Sequence, residues 1–188
     1  GHQVTVFTMR WNGPMEVGLE VVLVPTSGFT NHQRAWSFSN EVFKRLQTQS
    51  FDGCLGFNRQ AGLDFYFAAD PCLAVQLQQK KTWWPNFRPR YRRYLALEKA
   101  VYGQNSATHV LLLDAKLQAG ITAHYQTSSA RFSVIPPGIE QPIISAKHLL
   151  RERLGIPAET IMLLSVGYDQ VRKGLDRSLL AIAALPRA

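Results

Sequence analysis

The 188-residue sequence predicts an α/β fold in which a parallel sheet is covered by helices on both faces. Three observations lead there. Short apolar runs alternate with helix-period segments along the chain. The run His109–Leu113 is continuously apolar after its first residue, as for a strand covered on both sides. Pro136–Pro142 then separates this pattern from a shorter remainder of the same kind. Residues 1–140 are therefore expected to form most of one Rossmann-like domain, and 141–188 the first βα units of a second.

The elements follow in order. Gln3–Thr8 and Leu19–Pro25 read as strands. His32–Thr48 reads as a helix, with Ala35, Phe38, Val42 and Leu46 on one stripe. Gly53–Phe57 and Leu63–Ala68 are strand-like. Pro71 can open a helix that continues over Leu73–Lys81, and the two prolines in Thr82–Pro89 predict a loop. Arg90–Tyr102 reads as a helix with Tyr94, Leu95, Val101 and Tyr102 apolar. After the strand His109–Leu113, Asp114 is placed to cap a helix carrying Leu117, Ile121 and Tyr125. Phe132–Ile135 is a strand ended by Pro136, Pro137 and Gly138. Beyond the linker come a helix over Ala146–Leu154, a strand over Thr160–Val166 and a helix over Gly174–Leu185. That remainder is too little for an independent domain, and both ends read as cut.

Hydrophobic residues make up 46% of the chain, enough for a real core and against disorder. Cys54 and Cys72 have no metal-ligand spacing and fit a reducing compartment better than a disulfide framework. No apolar run approaches the roughly 20 residues of a membrane-spanning helix, and no signal peptide is visible. The net charge of +8 is localised. Lys80, Lys81, Arg88, Arg90, Arg92 and Arg93 supply six positive charges, and no acidic residue lies between Asp70 and Glu98. Such a patch points to one anionic partner surface.

Four segments have the residues for chemistry. In Val166–Gly174, a strand-like run passes through Gly167 into a loop, and Arg172 and Lys173 stand where the next helix begins. Fixed positive charge there suits a diphosphate; the plainer reading is a solvated pair on a turn. In Lys80–Tyr94 the six cations mix with Trp83, Trp84, Phe87, Tyr91 and Tyr94. Aromatics at an anionic bilayer surface are the favoured reading. Single-stranded nucleic acid is the rival, and core aromatics beside solvated cations the plain alternative. Asn58 and Asp70 each follow a strand-like run and are cleft candidates, although Asp70 also fits a helix cap. His32, in the polar group Thr30–Arg34, and Gly138 complete the cleft candidates; a histidine in such a place is more often structural. There is no Asp-x-Asp pair, Walker A loop, Gly-x-Gly-x-x-Gly or Gly-x-Ser-x-Gly, and no histidine cluster with metal-ligand spacing.

Taken together, Gly56–Cys72, Arg90–Tyr102, His124–Ile139 and Val166–Ser178 resemble the lipopolysaccharide glucosyltransferase I subfamily of the retaining glycosyltransferase family 4, in the same order and over nearly the whole chain. The resemblance implies a GT-B fold, with 1–140 the acceptor-side domain and 141–188 the start of the nucleotide-sugar domain. It implies transfer of glucose from UDP-glucose to an inner-core heptose at the cytoplasmic face of the inner membrane. Arg172 and Lys173 match the family's diphosphate-binding pair. Asp70 stands where many members carry a histidine on the acceptor side; it is a catalytic candidate, and no protein base is assigned. The family's Gly-Gly loop would precede Gly1, and its glutamate pair would follow Ala188. No cofactor or divalent metal is expected. The partners implied are UDP-glucose, the lipopolysaccharide core and an anionic membrane surface, with no nucleic acid. The alternative is a non-catalytic basic-aromatic module binding anionic membrane or single-stranded nucleic acid, for which the Arg-Lys-Gly loop has no use.

Overall fold

A computed structural model describes residues 1–80, 88–138 and 147–185, without the Arg172 side chain. The chain divides into two units, Gly1–Gly138 and Ile139–Ala188. The first contains β1 (Val4–Thr8), β2 (Leu19–Leu23), α1 (Asn31–Thr48), β3 (Leu55–Gly56), β4 (Phe65–Ala68), α2 (Leu73–Gln79), α3 (Pro89–Tyr102), β5 (His109–Leu112), α4 (Lys116–Tyr125) and β6 (Phe132–Val134). β1 and β2 form a parallel pair, and β3-β4-β5-β6 form a second, wholly parallel sheet. The expected α/β fold with parallel pairing is borne out.

The core follows from residue period. In β5, Val110 and Leu112 are completely buried while His109 and Leu111 are half-buried, so the two sheet faces are covered unequally. Tyr66 and Ala68 on β4 point into the same layer, where α3 adds Val101 and Tyr102 and α4 adds Ile121. Full burial of one such aliphatic or aromatic side chain contributes about 1.5–3 kcal/mol. A smaller cluster of Val24, Phe38 and Val42, with Phe7 and Leu46 beside it, fastens α1 to β1 and β2. That is the expected stripe of α1, with Ser39 buried next to it.

The local signals act as caps only in part. Thr30 and Gln33 form a reciprocal capping box at the start of α1. At α4 the cap position is Ala115 and not the expected Asp114, which stands one residue earlier and whose Oδ1 accepts from Lys116 N at 2.9 Å. In α2 the cap position is Cys72, which gives no side-chain hydrogen bond, and Asp70 does not serve as the cap. β3 and β4 are parallel yet joined without a helix, so residues 57–64 cross back over the sheet as a bare loop. Gly62, at φ 79, makes this return possible, since a Cβ there would lie 2.8 Å from the Phe43 ring.

The second unit contains α5 (Lys147–Arg153), α6 (Gln170–Lys173) and α7 (Leu175–Ala183). The expected strand Thr160–Val166 is not formed. A strand needs a neighbour's backbone hydrogen bonds, and among the described residues no strand pairs with this run. The helix expected over Gly174–Leu185 is present as α7, preceded by the single turn α6. Gly174 at φ 83 separates the two.

Candidate functional site

The segments that follow β1, β3 and β4 in unit one meet around a cavity of about 210 Å³. Met9 follows β1, Asn58, Arg59 and Gln60 come from the bare loop after β3, and Asp70 follows β4. Tyr66, Phe38, Leu97 and Tyr94 supply apolar wall from β4, α1 and α3. Both sheets are parallel, so Met9, Asn58 and Asp70 all lie at carboxyl ends of strands, where open α/β folds bind ligands. Two of the four cleft candidates, Asn58 and Asp70, thus line one cavity. A carboxylate and a carboxamide beside an aromatic wall suit a small, hydroxyl-rich ligand.

His32 is not in the lining. Its ring meets Tyr94 edge-on at 6.5 Å and its Nε2 lies 3.3 Å from Thr30 Oγ1, so it backs the wall of the cavity. Gly138 lies exposed after β6, with nothing within 4 Å of where a Cβ would stand.

Behind the cavity lies a buried carboxylate, Glu98, with zero exposure. Its Oε1 accepts from Leu73 N at 2.7 Å and sits 3.2 Å from Arg59 Nε. Its Oε2 accepts from Ala74 N and the Tyr125 hydroxyl, both at 2.9 Å, and from Cys72 Sγ at 3.5 Å. Glu98 therefore caps α2 from another helix, taking the place of the missing side chain at position 72. Arg59 Nη2 donates to the carbonyls of Pro71 at 2.7 Å and Asp70 at 3.3 Å. Burial, and then the Glu98 charge, push the Cys72 thiol up to about 11; the same causes in the same order raise Tyr125. Neither cysteine is a poised nucleophile, since burial also raises Cys54.

Arg59, Gln60 and Glu98 were not among the sequence candidates. Glu98 had a legible signal. It is an acidic residue four after Tyr94 and four before Tyr102, on the buried stripe of an otherwise basic helix.

In unit two the loop before α7 is internally organised. Gln170 Nε2 donates to Gly167 O at 2.6 Å, and Ser165 Oγ donates to Gln170 Oε1 at 3.3 Å. The Lys173 chain lies across Gly167, with its Cγ 3.2 Å from where a Cβ would be. A side chain at 167 would press on Lys173, so the glycine and the lysine are matched. The side chain of Arg172, its neighbour in α6, lies outside the described residues.

In the basic-aromatic segment, Lys81, Trp83, Trp84 and Phe87 lie outside the described residues. Lys80, Arg88, Arg90 and Arg92 are exposed and Arg93 is half-buried. The Arg90 guanidinium stands 5.9 Å from the centre of the Tyr94 ring, so the start of α3 joins the cation-rich face to the cavity wall. Among the described residues no helix is long and apolar enough to cross a membrane, and no group of three or more His, Cys, Asp or Glu is placed to hold a metal ion.

No family model matches the chain. Over 194 aligned residues it is 38% identical to "Lipopolysaccharide glucosyltransferase WaaG" of Escherichia coli (strain K12), covering 100% of this chain and 52% of that protein. A crystal structure of WaaG, described as a glycosyltransferase involved in lipopolysaccharide biosynthesis, superposes with a TM-score of 0.88 at 38% identity. That match covers 99% of this chain and 52% of the other. The chain thus spans about half the length of the relatives it matches. The resemblance to the lipopolysaccharide glucosyltransferases is borne out over the whole sequence. The rival reading, a binding module without catalysis, finds no support in these matches.

Proposed function

We propose that the chain acts in a lipopolysaccharide glycosyltransferase, which transfers glucose from UDP-glucose to a heptose of the inner core with retention. The observation that carries this is the 38% identity to WaaG along the entire chain. The cavity supports it, because Asn58 and Asp70 offer hydrogen bonds to sugar hydroxyls beside the Tyr94 ring. Unit one is the acceptor side and unit two carries the donor loop.

The bond from the glucose anomeric carbon to UDP breaks as the bond to the acceptor oxygen forms on the same face. The acceptor proton passes to the departing phosphate oxygen, so the scheme assigns no protein base. Charge grows on UDP through this step. Arg172 and Lys173 stabilise that charge, and the lack of a side chain at Gly167 lets the loop approach the diphosphate. The mechanism calls for no divalent ion. The acceptor is a membrane lipid, so attachment to the inner face of the inner membrane by Lys80–Arg93 keeps it within reach.

The test joins this chain in frame to the segments of WaaG that it does not match. The product should transfer glucose from UDP-glucose with EDTA present. Replacing Arg172 and Lys173 by Ala should lower the rate by on the order of 10²-fold or more. Normal turnover by that double variant would refute the diphosphate assignment. For the membrane face, changing Arg88, Arg90, Arg92 and Arg93 to Gln should reduce flotation with anionic vesicles, and high salt should weaken what remains. Equal flotation of both proteins removes the patch from the proposal.

A further inference from the structure

A fully buried carboxylate is a costly way to cap a seven-residue helix. A Ser at position 72 could do the same from its own side chain, with no ion to desolvate. Here the cap position is the cysteine, and the capping oxygens come from Glu98, 26 residues further along the chain. Removing an ion from water is repaid only when its partners saturate it. Glu98 meets that condition with two backbone N–H groups, one phenol, one thiol and the Arg59 guanidinium.

The arrangement is also aimed. Arg59 and Glu98 grip opposite ends of one short turn, Asp70–Ala74. Arg59 holds the carbonyls of Asp70 and Pro71, and Glu98 holds the N–H groups of Leu73 and Ala74. Pro71 has no N–H to contribute, and Cys72 supplies no side-chain cap to the helix, so these two side chains set the path of the turn. At its start stands Asp70, in the lining of the cavity, and Arg59 lines the same cavity. Glu98 also lies on the helix that presents Tyr94 and Leu97 to the cavity, so one helix fixes both the aromatic wall and the carboxylate opposite.

We infer that Glu98, acting with Arg59, is a positioning residue that fixes the Asp70 carboxylate against the acceptor sugar, a role that rests on the acceptor-side reading above. Glu98 touches no ligand itself. Its effect belongs to acceptor binding and alignment and not to the donor, whose loop is in unit two.

The experiment uses Glu98→Gln, which keeps shape but places an amide donor among N–H and O–H donors, and Arg59→Lys, which keeps charge but loses the fork. In the chain itself, hydrogen exchange at the Leu73 and Ala74 amides should accelerate in Glu98→Gln. In the joined enzyme, both variants should raise the acceptor KM by on the order of 10-fold, with the UDP-glucose KM unchanged. A purely structural role would lower the active fraction, and so kcat, with neither KM moved. Unchanged exchange overturns the inference, and so does faster exchange with an unchanged acceptor KM. A joined wild type that transfers nothing refutes the proposed function instead, and the exchange result then decides alone whether Glu98 holds the turn.

Discussion

The two units share one sequence style, apolar runs alternating with helical segments, but they package it in opposite ways. In unit one Val110, Leu112, Val101 and Tyr102 have no exposed surface. In unit two no described side chain is buried, and Ile161, Leu164 and Leu180 are 87%, 76% and 70% exposed. Apolar content is therefore not what makes a core. β4 and β5 pair with each other and with β3 and β6, and α2, α3 and α4 close over them, whereas the run 160–166 has no strand to pair with among the described residues. The difference teaches that local order survives without a core. The Ser165–Gly174 loop still makes its own hydrogen bonds and still lays Lys173 over Gly167.

The contrast is breakable by measurement. Removing the carboxylate in Glu98→Ala leaves the Arg59 charge without its counter-ion and two backbone donors without their acceptor, a loss of about 3–5 kcal/mol in urea unfolding. Leu180→Ala in unit two should stay within about 0.5 kcal/mol, as for other exposed positions. Comparable losses at the two sites would show that unit two has a core after all.

Next in size is a matched pair of leucines. Leu112→Ala empties a fully buried site and should cost about 2–5 kcal/mol. Leu164→Ala removes the same atoms from an exposed site and should cost almost nothing by the same assay. Thr30→Ala, which breaks the α1 capping box, should lower stability by about 1 kcal/mol. A loss as large as that of Leu112→Ala would mean the cap anchors tertiary structure as well as the helix.

The last effect concerns pH. Burial favours the neutral Cys72 thiol, so its pKa rises from an ordinary 9.0 to about 11. A raised value in the folded state gives stability that is complete below about pH 9 and lost as pH climbs to about 11. Over that window the wild type should lose urea resistance faster than Cys72→Ala. Both cysteines are in unit one, so this dependence sharpens the contrast. Parallel curves for the two proteins would place Cys72 outside the folded network.

Much of the fold and part of the site were legible in advance. The stripe Phe38, Val42 and Leu46 and the apolar run of β5 are properties of a few consecutive residues, so period reveals them, whereas the unequal covering of the two faces of β5 depends on what packs there. Asn58 and Asp70 were legible because each follows a strand, and a parallel sheet sends all such positions to one edge. Thr160–Val166 was misread for the converse reason: its apolar residues satisfy the strand pattern, but a strand is a relation between two segments.

The sequence by itself determined which segments want to be helix or strand, where the positive charge gathers, and which protein this chain resembles. Each of these depends on residue identity and spacing along the chain. The tertiary structure alone decided that Glu98 caps α2 across 26 residues of chain, that Arg59 turns onto Asp70 and Pro71, and that Tyr94 faces the cavity while Arg90, beside it, stays exposed. Those contacts depend on how α3 is set against the sheet, because burial and hydrogen bonding are settled by neighbours in space that the linear order does not name.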